Sequence, residues 1–571
     1  MKLFFELEIA YIFIAIFFLI VTAIVTTRKF SPPNSFKKVF PPVLIFLIIA
    51  IFAHFKVTTS RMAEVESEFL KGETVLCENR TKREVSKSIM INDKLGWNLK
   101  DNIFSNPEYF KNFHSARCVK MLENMGVTHV FGVPGGKIDS LFVAFKHSNI
   151  KLVAVRHEQN AAFMAAAFGR LTGRVGVCVA TSGPGATNLI TGLAAATSEG
   201  DPVLAIGGEV PVSDRLKKIH QSLDTTTLMK SVTKYSAEIV TSNQLAEIFG
   251  NAVRAAESGR PGAAFISLPK DVGVAEFTGN VDREWGKPVA NGSGAPSAIE
   301  AAAQLINTSQ RPVVLFGMQA SAQNVSESVQ NFLAKTKIPY TSTFQGPGKW
   351  AQPKDKETFV GRVGLFRNQP ADQLLNLSDC VITVGYDPVE YEPGVWNKDI
   401  QRKIIAIDVI ESSQDNDFVP DAEIIGDIGL ILDSLADKLN LKIDTDFSVE
   451  VGKTLTENKQ IVADAAHLNN YPVHPLRVIH EMQKIITSDT HIALDVGSNY
   501  IWMNRYHGAE YARQILVSNG QQVLGVGLPW AIASSLIYPD KRIISVSGDG
   551  GFLFSSMELE TAKRLGVKFI H

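Results

Sequence analysis

Short apolar runs alternate with helical patterns along the chain from about residue 110 onward. In the first block the strand-like runs are 128–133, 151–156, 175–180, 203–207 and 263–268. A second block contains runs at 312–317, 380–385 and 404–408, and a third contains runs at 492–497 and 542–547. Continuous apolar strands separated by helices are typical of parallel sheets covered on both faces. We therefore predict an α/β fold with three doubly wound parallel-sheet domains, the third with too few strands for a sheet as large as the first.

Polar segments divide these blocks from one another. The stretch 289–296 contains Gly and Pro, and the stretch 442–471 is polar without a clear apolar pattern. A chain of 571 residues is long enough for several domains. The predicted domains are 111–285, 296–440 and 472–571, preceded by an apolar segment at 1–57 and a charged linker or appendage at 58–110.

The amino end has a different character from the α/β blocks. Residues 9–27 and 39–55 are uncharged and apolar, and the first run is long enough to span a bilayer. Only Lys and Arg charges lie between them, which favours a cytoplasmic loop. Two spans would then place all later residues outside the cell, against a cytosolic cofactor enzyme. Either one segment spans, or a transmembrane hairpin was joined to an enzyme that did not evolve with it, and we favour the second.

Charge and cysteine content restrict the kinds of protein to which the α/β blocks can belong. The formal net charge is -1, so nothing indicates a nucleic-acid partner. The four cysteines show no C-x-x-C spacing, which argues against a disulfide framework or a zinc site. Cys178 and Cys380 lie in apolar runs and are expected to be small core residues. This part of the chain therefore has the composition of a cytosolic protein.

Two carboxylates follow apolar strands and precede helices. Asp549 lies in a glycine turn, 548–551, before a helix expected to open near Ser555 with a Ser/Glu cap. Such a turn suits a diphosphate and its divalent cation, although an ordinary turn carrying an aspartate remains an alternative. Glu158 ends a strand and opens an alanine-rich helix, where it is either a site residue or a helix-end charge. The glycine turn 181–188 lacks the Lys-Ser/Thr of a P-loop, so nucleoside triphosphate binding is disfavoured.

Ordered motifs over about residues 113 to 571 resemble the thiamine diphosphate enzymes, most closely the catabolic, FAD-independent acetolactate synthases. The motifs are THVFGVPGGKID from Thr128, RHEQNAAFMAAAFGRLTG from Arg156, TSGPGATNL from Thr181, HQSLD from His220, GLFRNQP from Gly364, VGYDPVEYEP from Val384, SNGQQVLGVGLPWAI from Ser518 and SGDGGFLFSSMELETAKRL from Ser547. The resemblance implies pyrimidine-binding, central and diphosphate-binding domains. It also implies a homodimer or tetramer, because the site forms between the pyrimidine domain of one subunit and the diphosphate domain of another.

The resemblance assigns roles to individual residues. Glu158 matches the glutamate that hydrogen-bonds the aminopyrimidine ring and promotes its imino tautomer, and Asp549 matches the magnesium ligand. Gln221 matches a substrate-side glutamine, and Leu524 an apolar side chain beneath the bent cofactor. The remaining cofactor-binding positions are Pro134, in a loop that runs to Lys137 and lines the site, Gly497, Ser498, Asn499, Gly548 and Gly550.

The implied reaction decarboxylates one pyruvate and joins the remaining two-carbon unit to a second, giving 2-acetolactate and CO2 for acetoin or branched-chain amino acid biosynthesis. FAD-containing relatives carry Arg-Phe-Asp-Asp-Arg in the central domain, whereas residues 385–391 read GYDPVEY, so no FAD is expected. A pyruvate oxidase or decarboxylase, and a non-catalytic membrane-anchored assembly protein, remain alternatives. The family's asparagine ligand to magnesium would fall just beyond His571, and we therefore expect the 571-residue chain to be inactive and an extended one active.

Overall fold

Parallel strands and helices alternate from residue 113 onward in a computed structural model that describes residues 113–277, 279–348, 358–367 and 369–571. The predicted transmembrane hairpin at 1–57 and the linker at 58–110 lie outside these described residues. Within them, every helix is too short or too polar to cross a bilayer.

The first domain is a six-stranded parallel sheet with strand order β2-β1-β3-β4-β6-β5. Its elements are α1 (His114–Asn124), β1 (His129–Gly132), α2 (Asp139–Lys146), β2 (Lys151–Ala154), α3 (Glu158–Thr172), β3 (Gly176–Ala180), α4 (Pro184–Asn188), α5 (Ile190–Ser198), β4 (Val203–Glu209), α6 (Thr225–Met229), β5 (Tyr235–Glu238), α7 (Leu245–Glu257), β6 (Ala263–Pro269) and α8 (Lys270–Gly273). One apolar cluster lies between the sheet and α3, and another lies on the opposite face beneath α1, α2 and α7. The sheet is therefore doubly wound, as predicted.

The second domain repeats this architecture with strand order β12-β11-β10-β7-β8-β9. Its elements are α9 (Pro296–Asn307), β7 (Pro312–Phe316), α10 (Ser326–Thr336), β8 (Tyr340–Thr343), β9 (Phe359–Val363), α11 (Pro370–Leu377), β10 (Cys380–Val384), α12 (Pro393–Trp396), β11 (Lys403–Asp408), β12 (Ala422–Ile425), α13 (Ile428–Ala436) and α14 (Thr445–Asp464). Helix α14 lies in the segment expected to be an irregular boundary. It forms because Phe447 and Val451 are buried in the second core, so this core continues past residue 440.

The third domain has a three-stranded parallel sheet in the order β14-β13-β15, half the strand number of each other sheet. Its elements are α15 (Pro475–Gln483), β13 (Thr490–Leu494), α16 (Ser498–Tyr506), β14 (Ile515–Leu516), α17 (Gly527–Ile537), β15 (Arg542–Val546), α18 (Asp549–Ser555) and α19 (Glu558–Leu565). The smaller sheet agrees with the sequence prediction.

The expected helix start at Ser555 is wrong. Helix α18 begins at Asp549, so Gly550 and Gly551 are helical, and Met557 is the N-cap of α19 without a side-chain cap hydrogen bond. Ser555 and Glu558 are fully buried. The Glu558 carboxylate accepts hydrogen bonds from Thr561 Oγ1 and from the first domain, and it therefore does not cap its own helix.

Helix α3 is the central packing element between the first and third domains, which belong to one compact unit. Its alanines at 161, 162 and 165–167 are buried in the same apolar cluster as Trp530, Ala531 and Ile532 of α17. Small side chains let the two helices approach closely. This contact fixes the residue at the start of α3, Glu158, relative to the third domain.

The three cysteines among the described residues are buried free thiols. Burial raises the pKa of Cys380 to about 12 and raises those of Cys118 and Cys178 further. The thiols are therefore protonated at neutral pH, and the prediction that Cys178 and Cys380 are core residues is confirmed.

Candidate functional site

Two turns of the third domain lie side by side at the carboxyl ends of neighbouring strands. Strands β13 and β15 pair in parallel with Leu494 opposite Val546, so the turns that follow them leave the same sheet edge. Asn499 joins them, since its Nδ2 donates to the carbonyl oxygens of Asp495 at 3.0 Å and Val546 at 3.2 Å. The geometry thus brings the predicted residues 497–499 and 548–550 together.

Gly497 has a backbone conformation that requires glycine. Its φ is 148° and its ψ is -174°, a region closed to residues with a Cβ. A Cβ here would also lie 2.6 Å from Asn499 Oδ1. Gly497 is the N-cap of α16, so this conformation sets the direction in which the first N–H groups of that helix point.

Asp495 organises this edge of the sheet, although the sequence analysis did not single it out. Its carboxylate is fully buried and accepts hydrogen bonds from the N–H groups of Gly525 at 2.9 Å and Gly527 at 3.0 Å. Burial raises the pKa of Asp495, while these hydrogen bonds act to lower it. A Cβ on Gly551 would lie 2.6 Å from Asp495 Oδ1. Asp495 therefore links the segment after Leu524 to the helix that begins with Asp549.

Leu524 is 36% exposed, although the helix that follows is apolar and buried. It immediately precedes Gly525, which has φ 89° and would place a Cβ 2.7 Å from the Phe554 Cβ. The close packing of Gly525 on α18 holds the chain here, and Leu524 is left at the surface beside the two turns. An apolar side chain in this position can support a ligand instead of filling the core.

Glu158 is the first residue of α3 and is half-buried. The preceding residue, His157, caps the helix by accepting a hydrogen bond from the Gln159 N–H at 3.1 Å. Asn188 Nδ2 donates to Glu158 Oε2 at 2.9 Å. A Cβ on Gly185 would lie 3.3 Å from the other oxygen, Oε1, so the glycine keeps space open beside it. One carboxylate oxygen is thus held by Asn188, and the other, Oε1, has no hydrogen bond among the described residues.

The loops after β1 and β3 meet beside Glu158. These strands are neighbours in the sheet, but the chain leaves β1 towards β2 on one side and leaves β3 towards β4 on the other. Open α/β sheets bind ligands in the crevice between two such strands, at their carboxyl ends. A Cβ on Gly135 would overlap the Thr181 side chain, so the loop carrying Pro134 contacts the turn 181–188. Thr181 Oγ1 is buried and has no hydrogen-bond partner among the described residues.

Gln221 belongs to the same edge. Ser182 Oγ donates to Gln221 Oε1 at 3.3 Å, and a Cβ on Gly183 would lie 3.1 Å from the Gln221 Cβ. Gln221 has φ 63°, a conformation that is strained for a residue with a long side chain. Backbone strain of this kind clusters at ligand-binding sites. Pro134, Glu158 and Gln221, far apart in sequence, therefore lie at one edge of the first sheet.

Comparison with known protein families matches each of the three domains. Residues 115–228 match the N-terminal TPP binding domain of thiamine pyrophosphate enzymes, 299–435 match their central domain, and 495–571 match their C-terminal TPP binding domain. The catabolic acetolactate synthase of Raoultella terrigena is 44% identical over 456 residues, which are 79% of this chain and 81% of that protein. The chain belongs to the acetolactate synthase family of thiamine pyrophosphate enzymes. The acetolactate synthase of Bacillus subtilis is 43% identical over 81% of each chain. A probable acetolactate synthase large subunit from Methanocaldococcus jannaschii is 33% identical over 79% of this chain and 78% of its own length.

Glu158 and Asp549, the two carboxylates that the sequence analysis assigned to the cofactor, are not joined directly in the part of the chain that the structure describes. Among the described residues, no hydrogen bond or ion pair links Glu158 to Asp549. The start of α3 instead contacts α19, where Glu558 Oε1 accepts from the Arg156 N–H and from Asn160 Nδ2, each at 2.9 Å. The Arg156 guanidinium also pairs with Glu560. Glu558 was not recognised from the sequence, because its burial depends on a partner almost four hundred residues away.

The donor groups fit a cofactor that brings ligands of its own to the metal. Asp549 is exposed, and the described residues contain no cluster of three His, Cys, Asp or Glu side chains that could hold a metal ion. Protein-bound Mg²⁺ commonly uses one or two carboxylates and completes its shell with phosphate oxygens and water. The carboxylate of Asp549, beside glycines that allow close approach, suits magnesium diphosphate better than a free cation. The expected inactivity of the 571-residue chain stays a prediction.

Proposed function

We propose that this enzyme converts two molecules of pyruvate into 2-acetolactate and CO2, using thiamine diphosphate and Mg²⁺. The observation that carries the proposal is the Glu158 carboxylate, which Asn188 holds at one oxygen and which has no hydrogen bond at the other among the described residues, on the sheet edge that also carries Gln221. The family relationship supplies the reaction type, since the relatives named above are acetolactate synthases. When bound, thiamine diphosphate supplies a nucleophilic carbon and an electron sink for decarboxylation.

Glu158 is the residue proposed to control the proton on the cofactor's pyrimidine ring. Asn188 Nδ2 occupies Oε2, so Oε1 is the oxygen available to exchange a proton with a ring nitrogen. The hydrogen bond also fixes the plane of the carboxyl group. A positioned acid or base of this type typically contributes a factor of about 100 to 10,000 in rate.

The turns of the third domain are proposed to bind the diphosphate and its metal ion. Asp549 would supply a carboxylate oxygen to Mg²⁺, and Gly548 and Gly550 allow the backbone to approach the phosphates. Gly497, Ser498 and Asn499 would present the open N–H groups at the start of α16, a helix of nine residues. Leu524 would pack beneath the cofactor and hold its two rings close together.

Gln221 is proposed to face pyruvate. Its side-chain oxygen accepts a hydrogen bond from Ser182, on the same sheet edge as Glu158, and its backbone has the strained φ of 63°. An amide can donate to a carboxylate or keto oxygen of a 2-oxo acid. The loop that begins at Pro134 would form another wall of this pocket.

FAD is not expected to bind to the central domain. In the sheet of this domain the strand order reverses between the neighbouring strands β7 and β10. A nucleotide would be expected to bind in the crevice at the carboxyl ends of these two strands. Here the loops are in contact, since a Cβ on Gly317 would overlap Gly385. The Glu390 carboxylate accepts from the Met318 N–H at 2.9 Å and the Asp387 N–H at 3.0 Å. These N–H groups are therefore already occupied by a carboxyl group of the chain itself. A flavin absorption band in the purified protein would contradict this expectation.

The reaction is tested by supplying pyruvate, thiamine diphosphate and Mg²⁺ to the extended chain, the form expected to be active, and identifying the products. Acetolactate is expected, whereas acetaldehyde or acetyl phosphate as the main product would favour a decarboxylase or an oxidase. Glu158→Gln should lower kcat by about 100-fold or more, because the amide cannot exchange the proton. The matched control is Glu300→Gln, at an exposed position paired with Lys438, which should leave kcat unchanged. Full activity of the Glu158 variant would refute its role.

A further inference from the structure

Three buried charges lie where the three domains meet, outside the residues assigned to the cofactor. Arg170 of α3 makes a bidentate pair with Asp201, with both N···O distances 2.7 Å. Arg170 Nη2 also donates to Glu199 Oε2 at 3.2 Å, and its guanidinium lies over the Trp530 ring. All three charged side chains are at most 6% exposed. Burial of such a cluster is costly unless every charge has partners.

The two carboxylates of this cluster have different partners. The carboxylate oxygens of Asp201 accept hydrogen bonds from the Arg170 guanidinium. Glu199 additionally accepts hydrogen bonds from the third domain, from Ser518 Oγ at 2.7 Å and the Gly520 N–H at 3.2 Å. The Asn519 N–H points to Glu199 Oε2 at 3.4 Å, and Gln345 Nε2 of the central domain donates to the same oxygen. One carboxylate of the first domain thus receives donors from both other domains.

The segment 518–520 that Glu199 holds leads directly into the cofactor site. Leu524 follows four residues after Gly520 along the chain. A Cβ on Gly520 would overlap the Ser198 hydroxyl, so the segment lies tightly against the end of α5. The chain from residue 518 to Leu524 is therefore held at one end by Glu199. Just after Leu524 it is held by the Gly525 N–H, which donates to the Asp495 carboxylate.

A second connection runs from the same segment to the diphosphate turn. Asn519 Oδ1 accepts a hydrogen bond from Tyr500 Oη at 2.8 Å, and Asn519 Nδ2 donates to the Glu390 carbonyl oxygen at 2.5 Å. Tyr500 is fully buried in the first turn of α16, the helix that Gly497 caps. The position of segment 518–520 therefore also helps to fix the position of the first turn of α16, through the hydrogen bond between Tyr500 and Asn519.

We propose that Glu199 is a positioning residue that fixes segment 518–520, and through it aims Leu524 and the start of α16 at thiamine diphosphate. The proposal rests on the proposed function only for the identity of the cofactor. Asp201 supplies the contrast, because it contacts the same arginine, whose Nη1 donates to the Val517 carbonyl oxygen at 2.7 Å, but itself makes no hydrogen bond to segment 518–520 among the described residues. A purely structural role for the cluster predicts that both carboxylates matter in the same way. A positioning role predicts that only Glu199 affects the cofactor.

The experiment compares Glu199→Gln with Asp201→Asn in the full-length protein. The dissociation constant for thiamine diphosphate is measured by calorimetry at fixed Mg²⁺, and backbone hydrogen exchange of residues 518–526 is measured without cofactor. Glu199→Gln should weaken binding by about tenfold and speed exchange in that segment, since the amide nitrogen cannot accept the third domain's donors. Asp201→Asn should lower the unfolding temperature and leave the dissociation constant within about twofold of wild type. Equal effects of the two variants on binding would overturn the proposal, as would unchanged exchange in the Glu199 variant.

Ser518→Ala provides the same test if either carboxylate variant fails to fold, because it removes a donor to Glu199 without touching Arg170. It should also speed exchange of residues 518–526, and unchanged exchange would again overturn the proposal. Hydrogen exchange is measured without cofactor, so it reports on positioning independently of catalysis. A wild-type protein that binds thiamine diphosphate but forms no acetolactate would contradict the proposed function alone.

Discussion

The Glu390 carboxylate is buried in the central domain and is surrounded by hydrogen-bond donors, from Met318, Asp387 and Thr343. Burial raises its pKa from 4.5 to about 7, and the hydrogen bonds only partly oppose this shift. The folded protein therefore keeps this proton at pH values where the unfolded chain has lost it. The contribution to stability is full below pH 4.5 and is lost as the pH rises to about 7.

Replacing Glu390 by Gln should remove this pH dependence, because the amide does not ionise. We expect the unfolding free energy of wild type, relative to Glu390→Gln, to fall by about 3 kcal/mol between pH 4.5 and 7. Urea titrations of both proteins across this range measure the difference, in which the contributions of other titrating groups cancel. A difference that is constant with pH would show that Glu390 has an ordinary pKa.

Gly497 allows a residue-scale test of the diphosphate turn. Alanine here must adopt φ 148° and approach Asn499 Oδ1, at a cost of about 1–3 kcal/mol. We expect Gly497→Ala to bind thiamine diphosphate more weakly and to unfold at a lower temperature. The matched control is Gly508→Ala, just after α16, where a Cβ would meet no atom of the described residues within 4 Å. If both variants bind the cofactor like wild type, the turn is not shaped by Gly497.

At the scale of elements, α14 shows how a polar-looking segment can be part of a core. Phe447 is 2% exposed in the second core, whereas Val449 on the same helix is 65% exposed. We expect Phe447→Ala to cost about 3–5 kcal/mol of unfolding free energy, because it leaves a cavity. Val449→Ala should change stability by less than about 0.5 kcal/mol. Denaturant titration of the two variants measures this contrast, and equal small effects would mean that α14 does not pack as described.

The sequence predicted ten of the strands in the described residues and missed β5, β8, β9, β12 and β14. Fully buried runs such as 203–207 and 380–385 are continuously apolar, and they coincide with β4 and β10. Strands β5 and β14 were not predicted, because β5 is only half-buried along its length and β14 has only two residues. Helix α14 was missed because its few buried side chains lie within a long polar stretch. The pattern of one element reveals burial only when most of its surface is covered.

The same limit applies to the site. Glu158 and Asp549 could be found from the sequence, because each is a lone carboxylate between an apolar strand and a helix. Asp495 has a similar position, but its role depends on N–H groups of Gly525 and Gly527, thirty or more residues away. Glu199 and Glu558 act across domain boundaries. Long-range contacts of this kind leave no local pattern, and only the folded structure shows them.

At the scale of the whole molecule, the question is whether one subunit can form a complete active site by itself. Glu158 belongs to the first domain and Asp549 to the third, and in the described chain no direct bond joins them. The start of α3 contacts α19 through Glu558 and Glu560 instead. We propose that each site combines the first domain of one subunit with the third domain of another. In a symmetric dimer two identical sites would then form.

Mixing two inactive variants distinguishes shared sites from sites within one chain. Glu158→Gln and Asp549→Asn are each expected to be inactive as homodimers. In a mixed dimer with shared sites, one site carries both substitutions and the other carries neither. Random mixing makes about half of the dimers mixed, so about a quarter of wild-type activity should return when the subunits are dissociated and reassembled together. If each site were built within one chain, every site would carry one substitution and no activity would return. Assaying acetolactate after joint reassembly, with each variant reassembled alone as the control, decides between these two architectures.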